Sequence, residues 1–147
     1  MRVYLAGPVD PSLLDECISW RREATKMLAA LNIEAQDPTR GGNHPKPTED
    51  GTLGGFPVSA ADLVARDKAD IRRSDILLVY WPGQSDKRGI GTLMEIALAG
   101  LWQIPILLVD PGQQLAGHPW IEVHVTQNHA SLAAAIDAIQ SYWLLRS

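Results

Sequence analysis

The 147-residue sequence contains little of what defines several common protein classes. Its single cysteine, Cys17, excludes an internal disulfide framework and is typical of a reducing compartment. The four histidines and this cysteine show no zinc-ligand spacing, so we expect no metal site. The formal net charge is −4 and the pI is about 5.5, which argues against a nucleic-acid polymer as the partner.

Long apolar runs are also missing. The N-terminal apolar run, residues 1–8, is too short for a signal peptide. The longest apolar stretch, residues 96–109, is interrupted by a glutamine and a proline and is shorter than the roughly 20 residues of a membrane-spanning helix. We therefore expect a cytoplasmic protein with no membrane partner. Because 46% of the residues are hydrophobic, disorder is excluded and residues 1–147 are expected to form a single domain.

Apolar runs alternate with helical patterns along the chain. The predicted strands are residues 3–6, 33–35, 75–81, 104–109 and 123–125, and the predicted helices are about 12–31, 59–73, 92–102 and 131–145. Unbroken apolar strands separated by helices indicate an α/β fold with a parallel sheet covered on both faces. Within the last predicted strand, alternation directs His124 to solvent.

The predicted sheet also indicates where a ligand binds. In parallel sheets the site lies beyond the carboxyl ends of the strands, here Gly7-Pro8 and residues 82–95. Residues 38–57 form a long segment with five glycines and four prolines. A loop of this length is either a lid over a site, the interpretation we favour, or an insertion without a role.

Two carboxylates stand out at these positions. Asp67 shares the helical stripe of Leu63 and Ile71, a spacing that directs Arg66 elsewhere, so Asp67 is either a buried ion-pair partner or a functional group. Glu95 has a capping-box spacing with Thr92, but it also lies at the strand ends. There the positive end of the helix dipole favours an ionised carboxylate, which is the state of a nucleophile.

The remaining candidates are less specific. Tyr4, near the end of the first strand, is either a core residue or a hydrogen-bond donor to a catalytic carboxylate. Asp86 and Arg88 either form a solvated turn or hold the polar end of a ligand. Gly89 and Gly91 match neither the phosphate-loop nor the dinucleotide pattern, so no cofactor is expected.

Three motifs occur in a fixed order: Tyr4-Leu5-Ala6-Gly7-Pro8, then Arg66-Asp67 with Ser74-Asp75, then Gly91-Thr92-Leu93-Met94-Glu95. With Trp20-Arg21, Asp37-Pro38-Thr39-Arg40 and His118-Pro119, they resemble the nucleoside 2-deoxyribosyltransferase-like family over most of the chain. The resemblance implies a flavodoxin-like (Rossmann-like) three-layer sandwich with a parallel sheet of about five strands.

The resemblance also implies a reaction. The expected enzyme cleaves the N-glycosidic bond of a (deoxy)nucleoside and transfers the 2-deoxyribosyl group to a free nucleobase. Glu95 corresponds to the nucleophile, Asp67 to the acid at the base, and Tyr4 to the residue that orients the nucleophile. The substrate-binding positions that it implies are Gly7, Pro8, Arg40, Asp86, Arg88, Gly89, Gly91, Thr92, Met94 and His118.

The family further implies a homo-oligomer with shared active sites, for which the tryptophans Trp102, Trp120 and Trp143 are interface candidates. One departure from the family pattern concerns the substrate. Gly89 occupies the position of an aspartate that contacts the 5′ hydroxyl, and Arg88 beside it suits a phosphate. A nucleoside or nucleoside 5′-monophosphate hydrolase therefore stays open, although Asp10 would repel a phosphate. A third alternative is a non-catalytic nucleotide-binding module in which Glu95 is only a cap.

Overall fold

The computed structural model describes residues 1–9, 14–46, 49, 54–82 and 89–146. The strands in this part of the chain are β1 Arg2–Ala6, β2 Glu34–Gln36, β3 Ile76–Tyr80, β4 Ile106–Val109 and β5 Gln127–His129. The α-helices in the same part are α1 Leu14–Ala30, α2 Ala60–Arg72, α3 Ile90–Leu101, α4 Pro119–His124 and α5 Leu132–Arg146. None of these helices is long and apolar enough to cross a membrane.

The strands form one parallel sheet in the order β2-β1-β3-β4-β5. Alternate strand residues supply two cores. Val3 and Leu5 pack with α1 and α5 on one face, whereas Tyr4 and Ala6 pack with α2, α3 and α4 on the other. This architecture confirms the predicted flavodoxin-like α/β sandwich. Strand order reverses between β1 and β3, which places a crevice at their carboxyl ends.

The helix that follows β4 corrects the sequence prediction. Residues 123–125 do not form a strand, because Pro119 at the first position opens helix α4 and Ile121 anchors it in the core. The edge strand β5 comes later and is polar, which is why no apolar run revealed it. His124 is half-buried rather than fully turned to solvent. Its Nδ1 lies 2.7 Å from the Trp120 carbonyl oxygen.

Of the helix starts predicted from the sequence, that of α2 is confirmed and that of α3 is wrong. Ser59 caps α2 as expected, because its Oγ accepts a hydrogen bond from the Asp62 amide at 3.1 Å. Helix α3 begins two residues earlier than predicted, after Gly89 in a left-handed conformation with φ 38°. Thr92 therefore lies inside α3, and its predicted capping box with Glu95 is wrong. The N-cap predicted at residue 12 for α1 lies outside the described residues.

Candidate active site

A cavity of about 370 Å³ lies at the carboxyl ends of β1 and β3. Its walls come from the turn after β1, the segment after β2, helix α2 and the first turns of α3. The lining residues that bear on chemistry are Gly7, Arg21, Phe56, Asp67, Thr92 and Glu95. The site therefore forms where the reversal of strand order predicted it.

Glu95 reaches this cavity through its position on α3. Ile96 and Ala99 on the same helix are buried against the sheet, which turns the neighbouring Glu95 toward the strand ends. Tyr4 is fully buried in β1, and its hydroxyl donates a 2.8 Å hydrogen bond to Glu95 Oε1. The bond joins residues 91 positions apart in the chain, so only the parallel sheet brings them together.

Burial controls the ionisation of Glu95. Desolvation is the largest cause that raises its pKa from 4.5 to about 7, and the charge of Asp67 raises it further, while the Tyr4 hydrogen bond lowers it. Burial thus opposes the ionised form that the helix dipole was expected to favour. A carboxylate with a pKa near 7 exchanges its proton readily at neutral pH.

Asp67 lies on α2 and lines the same cavity. Burial is the main cause that raises its pKa. Arg66 does not point elsewhere, since its Nη2 lies 3.1 Å from Asp67 Oδ1 and also donates to the Pro38 carbonyl oxygen. Asp67 is thus both an ion-pair partner and a residue of the cavity. Among the described residues, no group of three acidic, histidine or cysteine side chains could hold a metal ion.

Arg21 is the site residue to which the sequence analysis gave no role. It is fully buried beneath the cavity, and its two Nη groups donate 2.7 Å hydrogen bonds to the carbonyl oxygens of Gly7 and Cys17. Its guanidinium lies over the Trp20 ring at 4.7 Å. Desolvation lowers the pKa of Arg21, and nearby Asp37 raises it. The sequence did indicate that Arg21 is buried, because it lies on the inward helical stripe four residues after Cys17.

The other predicted binding residues fall into several groups. Gly7, Pro8, Gly89, Gly91 and Thr92 line the cavity with Glu95 and Asp67. Met94 and His118 line a separate apolar groove between α3 and α4. Asp86 and Arg88 lie outside the described residues.

Arg40 is also placed away from the cavity. Its Nη2 pairs at 2.7 Å with Asp70, a carboxylate only 2% exposed, and this pair ties the segment after β2 to α2. Phe56 belongs to the long segment that the sequence predicted as a lid, and it lines the cavity. The sequence pattern gave no reason to select it.

The doubly wound sheet, with its crevice between β1 and β3, is a flavodoxin-like fold, and solved 2-deoxyribosyltransferases share it. Among solved structures, the chain is similar to the 2-deoxyribosyltransferase of Bacillus psychrosaccharolyticus, with a TM-score of 0.69 and 18% identity over 95% of this chain and 96% of that one. This likeness confirms the fold that the sequence motifs implied.

Two further structures share the fold. The 2-deoxyribosyltransferase of Leishmania mexicana has a TM-score of 0.65 and 15% identity, covering 95% of this chain and 97% of that one. The CMP N-glycosidase of Clostridium botulinum has a TM-score of 0.61 and 16% identity, covering 97% and 99%. No protein-family model matches the chain, and no curated protein matches it.

Proposed function

We propose that the chain cleaves the N-glycosidic bond of a (deoxy)nucleoside and transfers the 2-deoxyribosyl group to another nucleobase through a glycosyl-Glu95 intermediate. The observation that carries the proposal is the hydrogen bond from Tyr4 to Glu95 beside a second cavity carboxylate, Asp67. Two of the structural neighbours are 2-deoxyribosyltransferases, which supports the same reaction class.

In the first step, the ionised Glu95 carboxylate attacks C1′ of the sugar. The C1′–N bond breaks, its electron pair goes to the base, and protonated Asp67 donates a proton to the leaving nitrogen. The raised pKa of Asp67 suits this role of general acid. The developing positive charge on the sugar favours the ionised form of Glu95, and the Tyr4 hydroxyl holds that carboxylate in place.

In the second step, a nitrogen of the acceptor base attacks C1′ and displaces Glu95. The proton of that nitrogen passes to Asp67, which restores both carboxyl groups to their starting states. A water molecule in place of the acceptor base yields the free sugar. Transfer therefore requires that the acceptor base exclude water from the cavity.

The charges of the described lining residues favour a nucleoside over a nucleoside monophosphate. The ionised Glu95 carboxylate repels a phosphate, and both Nη groups of the buried Arg21 already donate to backbone carbonyls. Neutral sugar and base groups meet no such repulsion. We therefore propose a neutral nucleoside as the donor and a free nucleobase as the acceptor.

Base exchange tests the proposal directly. The wild-type protein, incubated with a deoxynucleoside and a second free base, is expected to form the new nucleoside, as followed by chromatography. Glu95→Ala is expected to abolish the exchange, whereas Glu122→Gln, an exposed carboxylate on α4, leaves it unchanged. Exchange that persists in Glu95→Ala would refute the covalent mechanism.

A second candidate function is hydrolysis of a nucleoside or nucleoside 5′-monophosphate. The specific observation in its favour is the fold shared with a CMP N-glycosidase. Release of free sugar without any new nucleoside, from a panel of nucleosides and monophosphates, would select this alternative. If the wild type turns over no member of the panel but binds one, and Glu95→Gln binds it equally well, the protein is a non-catalytic binding module.

A further inference from the structure

Arg66 lies on α2 directly before Asp67, behind the wall of the active-site cavity. Asp67 and Pro38 line that cavity, and Arg66 is not among its described lining residues. The Arg66 Nη2 group nevertheless donates to both of them, to the Pro38 carbonyl oxygen and, at 3.1 Å, to Asp67 Oδ1. One guanidinium group therefore joins the helix that carries the proposed acid to the segment after β2, which forms another part of the wall.

Both contacts between Arg66 and Asp67 go to the same carboxyl oxygen. The Arg66 Nε atom lies 3.4 Å from Asp67 Oδ1, and Nη2 lies 3.1 Å from it. Within the described part of the chain, Asp67 Oδ2 has no hydrogen-bond partner. Because a guanidinium group only donates hydrogen bonds, Oδ1 serves as the acceptor, and the proton of the neutral acid belongs on Oδ2.

Burial and the guanidinium group act on Asp67 in opposite directions. The Asp67 side chain is 19% exposed, and desolvation is the largest cause that raises its pKa, whereas the hydrogen bond and the charge of Arg66 lower it. When Asp67 gives up its proton, the new carboxylate is already paired with Arg66, so the protein need not rearrange. Both states of the carboxyl group are thus accommodated, as a group that donates and recovers a proton requires.

Other charged and titratable groups face Asp67 from the elements around it. Asp70 on the same helix raises the pKa of Asp67, and Arg40 on the segment after β2 lowers it. Glu95 on α3 and Tyr4 on β1 also interact with the charge of Asp67, which raises the pKa of each. Arg40 already pairs with Asp70 at 2.7 Å, so its charge acts on Asp67 only from a distance.

We propose that Arg66 is a positioning residue, which ties Asp67 Oδ1 to the Pro38 carbonyl and so presents the proton on Oδ2 to the leaving nitrogen of the nucleoside. The inference rests on the proposed function and gives a role to a residue behind the cavity wall. In the first step the Oδ2–H bond breaks, the proton joins the leaving nitrogen, and the electron pair of that bond stays on the carboxylate beside Arg66. In the second step the acceptor base returns a proton to Oδ2.

Two substrates that differ in their need for an acid test this role, each followed as release of free base. An unmodified purine deoxynucleoside needs a proton on its leaving base, whereas its N7-methylated form already carries a positive charge and releases a neutral base. Arg66→Met is expected to lower kcat about 100-fold for the first substrate and less than about threefold for the second. KM stays unchanged, because Arg66 does not line the cavity. Lys68→Met, which removes an exposed cation on the other side of Asp67, is the matched control and is expected to change neither rate.

The ionisation of Asp67 is measured without any substrate. Carbon-detected NMR of the side-chain carboxyl groups gives its pKa, and Asp67→Asn assigns its signal. Arg66→Met is expected to raise this pKa by about 1 pH unit, because it removes a hydrogen bond and an opposite charge. Arg66→Lys keeps the charge and is expected to restore the pKa but only part of kcat, since an ammonium group lacks the planar donors that reach both acceptors. The Arg66 side chain is 29% exposed, so both variants are expected to fold.

Two results overturn the proposal. One is an equal loss of kcat on both substrates in Arg66→Met, which would show that Arg66 supports the whole site rather than the acid. The other is a pKa of Asp67 that Arg66→Met leaves unchanged. If the wild type releases base from neither substrate, the proposed function fails, and the pKa measurement alone decides whether Arg66 holds Asp67.

Discussion

Replacement of Glu95 by glutamine is expected to make the protein more stable at alkaline pH. A carboxyl group whose pKa is raised on folding binds more protons in the folded state than in the unfolded state. The free energy of unfolding of the wild type therefore falls as the pH rises from the ordinary pKa of 4.5 through the folded value of about 7. Above that range the full penalty of burying the charged carboxylate is present.

The magnitude follows from the difference between the two pKa values. About 2.5 pH units, at 1.36 kcal/mol each, correspond to about 3 kcal/mol. Glu95→Gln removes the charge, and its amide oxygen still accepts the hydrogen bond from Tyr4. The variant is therefore expected to exceed the wild type by up to about 3 kcal/mol at pH 8 and to match it near pH 4.

Urea unfolding monitored by circular dichroism at pH 4, 6 and 8 measures this difference. Glu122→Gln on the exposed surface of α4 is the control, and its unfolding free energy is expected to stay within about 0.5 kcal/mol of the wild type at each pH. A Glu95→Gln variant less stable than the wild type at pH 8 would contradict the reasoning. That result would show that the charged carboxylate of Glu95 gains more from its partners in the folded state than desolvation costs it.

Three further predictions concern neighbouring residues. Tyr4→Phe removes a hydrogen bond that lowers the pKa of Glu95, so the acidic limb of the kcat/KM profile moves to higher pH, and kcat/KM at pH 6 falls about tenfold for each pH unit of displacement. Arg21→Met leaves two buried carbonyl oxygens without their donors and is expected to lower the free energy of unfolding by about 3 kcal/mol in urea titration. Gly7→Ala places a Cβ 2.8 Å from the Tyr80 carbonyl oxygen and is expected to cost about 1–3 kcal/mol in the same assay. An unchanged pH profile or unchanged unfolding midpoints would contradict these three expectations.

The central strands could be predicted from the sequence, because buried parallel strands are continuous apolar runs. Residues 75–81 and 104–109 predicted β3 and β4 for this reason. The edge strand β5 was missed, since an edge strand with polar residues carries no such run. The two valines of residues 123–125 suggested a strand, but Val123 is 81% exposed near the end of α4, and a short local pattern cannot distinguish a helix end from a strand.

Part of the candidate site could be predicted from the sequence. Residues that follow a strand end or open a helix, such as Gly7 and Glu95, were found from their local context. The helical stripe that Arg21 shares with Cys17 indicated its burial, but no sequence pattern reports that its partners are backbone carbonyl oxygens. Phe56 was missed because the path of a long segment depends on what it packs against.

The sequence by itself determined the fold class and selected Asp67, Glu95 and Tyr4 as candidate site residues, since apolar periodicity and motif order are properties of the chain. The tertiary structure decided how these groups behave. Only the fold brings the Tyr4 hydroxyl within 2.8 Å of Glu95, and burial, together with the nearby Asp67, raises the pKa of Glu95 to about 7. Distances and desolvation depend on which segments pack together, and these quantities are not written in any local stretch of sequence.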